Sequence, residues 1–136
     1  AYNKINLAVT HLKKGKIETQ ALDEYYQALS WVNQRSLLAP FTYSMYAFAI
    51  ESLDIQDESK LAVIDSSLRV TPNYKSAYMR AYLLLKQERQ DEALLAMQKA
   101  IQAYPGDYQK NILIDPEWSA KYEALHQQAK QALGVN

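Results

Sequence analysis

The sequence predicts an all-α fold, an array of antiparallel helical hairpins with about seven helices. Three observations carry that expectation. Glycine and proline are scarce, three and four residues in 136, while Ala, Leu, Gln, Lys and Glu abound, which favours helix over sheet. Apolar residues recur at three- and four-residue steps almost throughout, and no segment alternates cleanly as a half-buried strand would. Connections between the periodic segments are short, and short links between long helices make neighbours antiparallel.

Breakers and caps divide the chain. The periodicity predicts helices over about 2–14, 17–33, 41–55, 57–70, 73–87, 90–104 and 116–133. Gly15 separates the first two, and Asn33 to Pro40 links the second to the third. Pro72 and Pro105 each end a helix, because proline cannot donate to the preceding turn and pushes the residue before it out of helical angles. Asp115, Pro116 and Glu117 read as an N-cap, an N1 proline and a first-turn acid. Gly134 suits a C-terminal stop. With 136 residues the chain forms one domain, 1–136, large enough for a core without staples.

The hairpins repeat. Counted forward from Pro40 and Pro72, offsets +6, +9, +10 and +13 hold Tyr46, Ala49, Ile50 and Leu53, then Tyr78, Ala81, Tyr82 and Leu85. Counted back from Pro72 and Pro105, offsets −11, −8 and −4 hold Leu61, Ile64 and Leu68, then Leu94, Met97 and Ile101. Successive prolines stand 32 and 33 residues apart.

A two-helix unit of about 34 residues closing in proline resembles the tetratricopeptide-repeat family. Ala93, Met97, Ala100 and Pro105 fit its second-helix positions, as do Ala21, Tyr25 and Ala28 after Ile5, Ala8, Val9 and Leu12. The resemblance implies a right-handed superhelical array with repeats at about 2–35, 41–72 and 73–106, a connecting loop 107–115 and a capping helix 116–133. Trp118, Tyr122, Leu125 and Ala129 form the stripe such a cap needs, or one that docks on a neighbouring domain. Departures from the family pattern are Asn33 in place of the first proline, and Lys60 and Ser67 at alanine positions. Ile50 and Tyr82 stand where small residues are usual, and the inter-helix glycine is absent from the second and third units.

The run Leu68 to Pro105 also resembles the soluble tail of bacterial O-antigen ligases and polymerases and of protein O-oligosaccharyltransferases. Pro72, Met79–Arg80, Leu83 to Leu85, Glu92–Ala93 and Tyr104–Pro105 carry that likeness, with Met79 where the group has tyrosine. It implies a parent membrane glycosyltransferase acting on lipid-linked glycans at the periplasmic face of the inner membrane. The catalytic residues of that group would lie outside these 136 positions, and membrane association would come only through missing segments. The absence of an initiator Met, and a helical pattern that starts at once, fit an excised piece.

Composition and motifs exclude several function classes. Fifteen basic residues balance fifteen acidic ones, which argues against a nucleic-acid partner. No cysteine is present, so disulfides, thiol catalysis and cysteine metal sites are excluded. No apolar run approaches the roughly 20 residues of a membrane span. His11 and His126 lack metal-ligand spacing, and no serine lies in a G-x-S-x-G turn. Asp57–Glu58 and Asp91–Glu92 begin helices, where carboxylates meet the positive end of the dipole. Lys13, Lys14 and Lys16 cluster at a helix end for the mirror-image reason. No catalytic, metal or cofactor site is expected.

Binding is the remaining class. In folds of this kind the first helices line a concave groove, and its expected occupant is a protein or peptide partner. The proline register places Phe48 and Glu51 in that groove from one unit, and Met79, Arg80, Leu83 and Lys86 from the next. Ser44, Ala47, Asp54, Ile55 and Ser76 fall on the same surface. Glu51 and Asp54 are expected to pair with Arg80 and Lys86. Lys75 and Arg80, five residues apart, stand about 140° round a helix and cannot together clamp a terminal carboxylate.

Overall fold

A computed structural model describes residues 39–135. The expected helices 2–14 and 17–33, with His11, Lys13, Lys14 and Lys16, lie outside the described residues. Within them the chain is all-helical: α1 (Ala39–Glu51), α2 (Asp57–Val70), α3 (Tyr74–Lys86), α4 (Gln90–Ala103) and α5 (Ser119–Leu133), with 3-10 turns at Tyr108–Asn111 and Pro116–Trp118. No strand occurs among the described residues.

Each boundary has a local cause. α1 stops at Glu51, four residues short of the expected end, where the Leu53 amide turns back to the Ile50 carbonyl. The Lys60 ammonium donates to the freed Glu51 carbonyl at 2.9 Å, placing a cation at the negative end of the helix. α2 opens on Asp57 and Glu58, the acids expected at its start. Thr71 and Pro72 then extend the chain, and the Asn73 side chain caps α3 by accepting from the Ser76 amide at 2.9 Å.

α3 ends without glycine. Glu88 takes the left-handed conformation at φ 58°, while the Arg89 amide reaches the Leu84 carbonyl and the Glu88 amide the Leu85 carbonyl. That is the Schellman arrangement, here built on a residue that pays a steric penalty glycine would avoid. α5 ends in the same arrangement on Gly134 at φ 70°, as expected.

α3 is the central helix, in contact with α1, α2 and α4, and α5 packs on α4. Of the proline-anchored positions, Ala49, Ile50, Leu53, Tyr78, Ala81, Tyr82 and Leu85 are buried, as are Leu61, Ile64, Met97 and Ile101, while Leu68 and Leu94 are partly buried against the core and the Tyr46 side chain lies outside the described residues. Ala93 and Ala100 are fully buried, allowing α3 and α4 to approach closely. The stripe on α5 lies against this core, with Tyr122, Leu125 and Ala129 buried and Trp118 partly so. The Tyr122 ring meets that of Tyr82 edge-on at 5.6 Å.

Candidate interaction groove

The candidate groove lies where α1 and α3 are in contact. Beneath it sits Lys75, a lysine with no exposed side-chain surface. Its ammonium bonds both Glu51 carboxylate oxygens at 2.8 Å and sits 4.0 Å from the centre of the Phe48 ring. Burial pulls the Lys75 pKa down, and Glu51 opposes that pull. The ammonium also donates to the Asn111 carbonyl, which belongs to the segment between α4 and α5.

That segment is more than a connection. The Tyr108 ring lies against Tyr74, 4.6 Å between centres, and edge-on to Tyr104 at 6.4 Å. From Asn111 to Asp115 the chain then crosses the groove, extended at Ile112 and Asp115. Every second residue is held through its backbone. Lys75 takes the Asn111 carbonyl, Glu51 accepts the Leu113 amide at 2.8 Å, and the Tyr82 hydroxyl accepts the Asp115 amide at 2.9 Å. Ile112 is buried in the core and Ile114 partly buried against it, while the Leu113 side chain points out, 64% exposed.

The strap ends on charge. The Asp115 carboxylate accepts from Lys86 at 2.9 Å and from the Tyr82 hydroxyl at 3.1 Å. Lys86 also reaches Asp57 at 3.2 Å, and its ammonium lies 5.3 Å from the Tyr82 ring centre. Burial lowers the Lys86 pKa, but the bonds to Asp115 and Asp57 outweigh it and the net shift is upward. The same Lys86 bond holds the Asp115 carboxyl below its ordinary range.

The sequence-derived residues divide into three groups. Glu51, Met79, Leu83 and Lys86 line one cavity of about 140 Å³, together with Lys60, Tyr82 and Asp115. Phe48 is not in its lining; it is 38% exposed, with the Lys75 ammonium over its ring. Arg80 is elsewhere. It lies about a third of a turn round α3, bonded to Asp65 of α2 at 2.7 Å, and borders a separate recess with Leu68, Pro72 and Lys99.

Three expectations are corrected. Glu51 pairs with Lys75, Arg80 with Asp65, and Lys86 with Asp57 and Asp115, so neither Glu51 nor Asp54 bridges to Arg80 or Lys86. Met79 and Leu83 are buried, and so are Ser44, Ala47 and Ser76, because α1 and α3 pack together and Ala47, Met79 and Leu83 join the core. Asp115 does not cap the following helix: its carboxylate is committed to Lys86 and Tyr82, and Pro116 opens a 3-10 turn before α5. Sequence reasoning missed Lys75 and Tyr82 as groove residues. A lysine on the apolar face of a helix was the available signal.

The remaining polar groups have structural settings. His126 is buried on α5, and desolvation lowers its pKa. Burial also pushes the Tyr78 hydroxyl up to about 12, and that hydroxyl donates to the Tyr104 carbonyl at 2.6 Å. Among the described residues no group of three or more His, Asp and Glu side chains is placed to hold a metal ion. No described helix is long and apolar enough to cross a membrane. No protein-family model, curated protein or solved structure matches the chain.

Chemically, the arrangement is suited to holding an extended backbone. It offers one buried cation for a carbonyl, one carboxylate and one hydroxyl for amides, and an ammonium for an acidic side chain.

Proposed function

We propose that this chain is a non-catalytic, tetratricopeptide-like interaction module, a right-handed superhelical array whose α1 and α3 present the partner-binding groove. In this reading it is the soluble periplasmic tail of a membrane glycosyltransferase of the O-antigen ligase or polymerase type. The observation that supports the interaction role is the alternate-residue hold on an extended backbone by Lys75, Glu51 and Tyr82. Side chains that bond main chain at every second position act on peptides irrespective of their sequence, while pockets for the intervening side chains add selectivity. The ligase likeness rests on Pro72, Glu92–Ala93 and Tyr104–Pro105. A free-standing peptide-binding adaptor is the second reading, favoured by the same backbone hold, which needs no membrane parent.

Two measurements test the two halves. Several spans of about 20 apolar residues in the parent reading frame ahead of Ala1 support the membrane enzyme, and a start codon close to Ala1 removes it. For the interaction role, a photo-crosslinker at Phe48 should trap a partner in cells. Trapping should fall with Lys86→Glu and persist with Lys99→Glu, whose site lies in the recess beside Arg80. Equal trapping by both variants would place the interface off this groove.

A further inference from the structure

The strap fills the groove in the manner of a ligand. Over Asn111 to Asp115 it gives up one carbonyl and two amides to side chains of α1 and α3 that stand 33 to 62 residues away in the sequence. A connection needs only to span the distance from α4 to α5. This one is instead read in register: carbonyl to Lys75, aliphatic Ile112 inward, amide to Glu51, aliphatic Ile114 inward, amide and carboxylate of Asp115 to Tyr82 and Lys86. The Leu113 side chain, between the two inward isoleucines, faces solvent. The alternation has the period of two of an extended peptide lying on a surface.

We infer that the strap 111–115 is a tethered competitor for the groove, and that the partner is an extended peptide of the pattern x-aliphatic-x-aliphatic-acid, which replaces it residue for residue. This rests on the groove being the interaction site proposed above. The occupant is identified by complementarity. Lys86, with Lys60 lining the same cavity, favours a carboxylate at the fifth position of the pattern, while Met79 and Leu83 line that cavity as an apolar wall. The buried Lys75–Glu51 pair supplies one donor and one acceptor for main chain, independent of side chains.

Tethering explains how such a site stays closed until a partner arrives. A short covalent link holds the strap at an effective concentration of the order of millimolar at its site, so a free peptide competes only when it binds well below that level. The strap is also its weakest where it meets solvent, since the Asp115 side chain is half exposed and Leu113 exposed.

The test uses the whole 136-residue chain and a fluorescein-labelled peptide with the sequence of Gln109 to Glu117. In one variant, residues 109–115 become a glycine–serine linker of the same length. Fluorescence anisotropy should show the peptide binding this variant roughly tenfold or more tightly than the unchanged chain, because the intramolecular competitor is gone. A peptide with alanine at the Asp115 position should bind the variant more weakly, and adding Lys86→Ala to the variant should erase that difference. Equal binding to both chains, or none to a linker variant that keeps its helical circular dichroism, would overturn the inference. Leu113→Pro, which removes a single strap amide donor, is the second variant should the linker unfold the chain. If neither folds, the strap is part of the core and the inference falls. A peptide that binds while crosslinking at Phe48 traps nothing would retain the strap mechanism and reject only the in-cell interaction role.

Discussion

Two of the ion pairs that α3 makes, nearly equal in length and on different faces, do different jobs. On the face toward α1, Lys75 and Glu51 meet at 2.8 Å with side chains 0% and 8% exposed. Toward α2, Arg80 and Asp65 meet at 2.7 Å with side chains 31% and 34% exposed. Distance does not separate them. Solvent does, because water screens the second pair and substitutes for either partner once the other is removed. The first pair has no such substitute, and it also carries the strap.

The largest expected effect follows from breaking the buried pair. Glu51→Ala leaves the Lys75 ammonium in the interior with only the Asn111 carbonyl and the Phe48 ring as partners. Removing one member of a buried pair typically costs about 3–5 kcal/mol, mostly the penalty of the uncompensated charge. Urea denaturation should show a loss of that size. Replacing both members, Glu51→Leu with Lys75→Met, should recover most of it, since two apolar side chains of similar volume leave no stranded charge. A loss below about 1 kcal/mol for Glu51→Ala would mean that water reaches Lys75 and that the two faces do not differ.

Much of the architecture is legible in the sequence. Tyr78, Ala81 and Leu85, or Leu61 and Ile64, announce their burial through helical spacing and a proline at a fixed offset, both local signals. The same register sets Met79, Leu83 and Lys86 on one surface with Glu51, and the four line one cavity. What local spacing does not encode is which charge answers which. Glu51 takes Lys75 rather than Arg80 or Lys86 because α3 presents Lys75 to α1 and turns Arg80 toward α2. The strap was missed for a related reason. Its sequence reads as an ordinary loop with a helix start at Asp115–Pro116, and only contacts to residues 29 to 62 positions away give it a place. Glu88 in a left-handed turn is a further case, since the sequence lacks the inter-helix glycine and nothing local signals that the turn keeps its geometry without one.

The exposed pair supplies the middle of the scale. Arg80→Ala removes a single bond to Asp65 and leaves that carboxylate free to hydrate, so the expected cost is about 0.2–1 kcal/mol. Part of it is the partial burial of the arginine stem, which borders the recess that Leu68 and Ala77 also line. A titration in sodium chloride gives a sharper comparison than the size alone. The stability difference between the unchanged chain and Arg80→Ala should shrink between 0.05 and about 1 M salt, whereas the Glu51→Ala difference should hold, because screening acts on solvated charges. Parallel salt dependence of the two differences would show that burial is not what distinguishes the faces.

The smallest effect is local and depends on pH. Lys86 holds the Asp115 carboxyl below its ordinary value, so the bond contributes stability above the unfolded value near ~3.9 and loses it as pH falls through the folded value. With the Asp115 side chain half exposed, the contribution is a few tenths of a kcal/mol, too little to move global melting. It acts on the end of the strap alone. The protection factor of the Asp115 amide, which donates to the Tyr82 hydroxyl, should therefore drop between pH 5 and 3 relative to the amides of α4. Asp115→Asn should give the low value at both pH values. Protection that falls equally in the strap and in α4 would mean that the strap opens only with the whole domain, and that the α1-facing surface of α3 is ordinary core rather than an occupied groove.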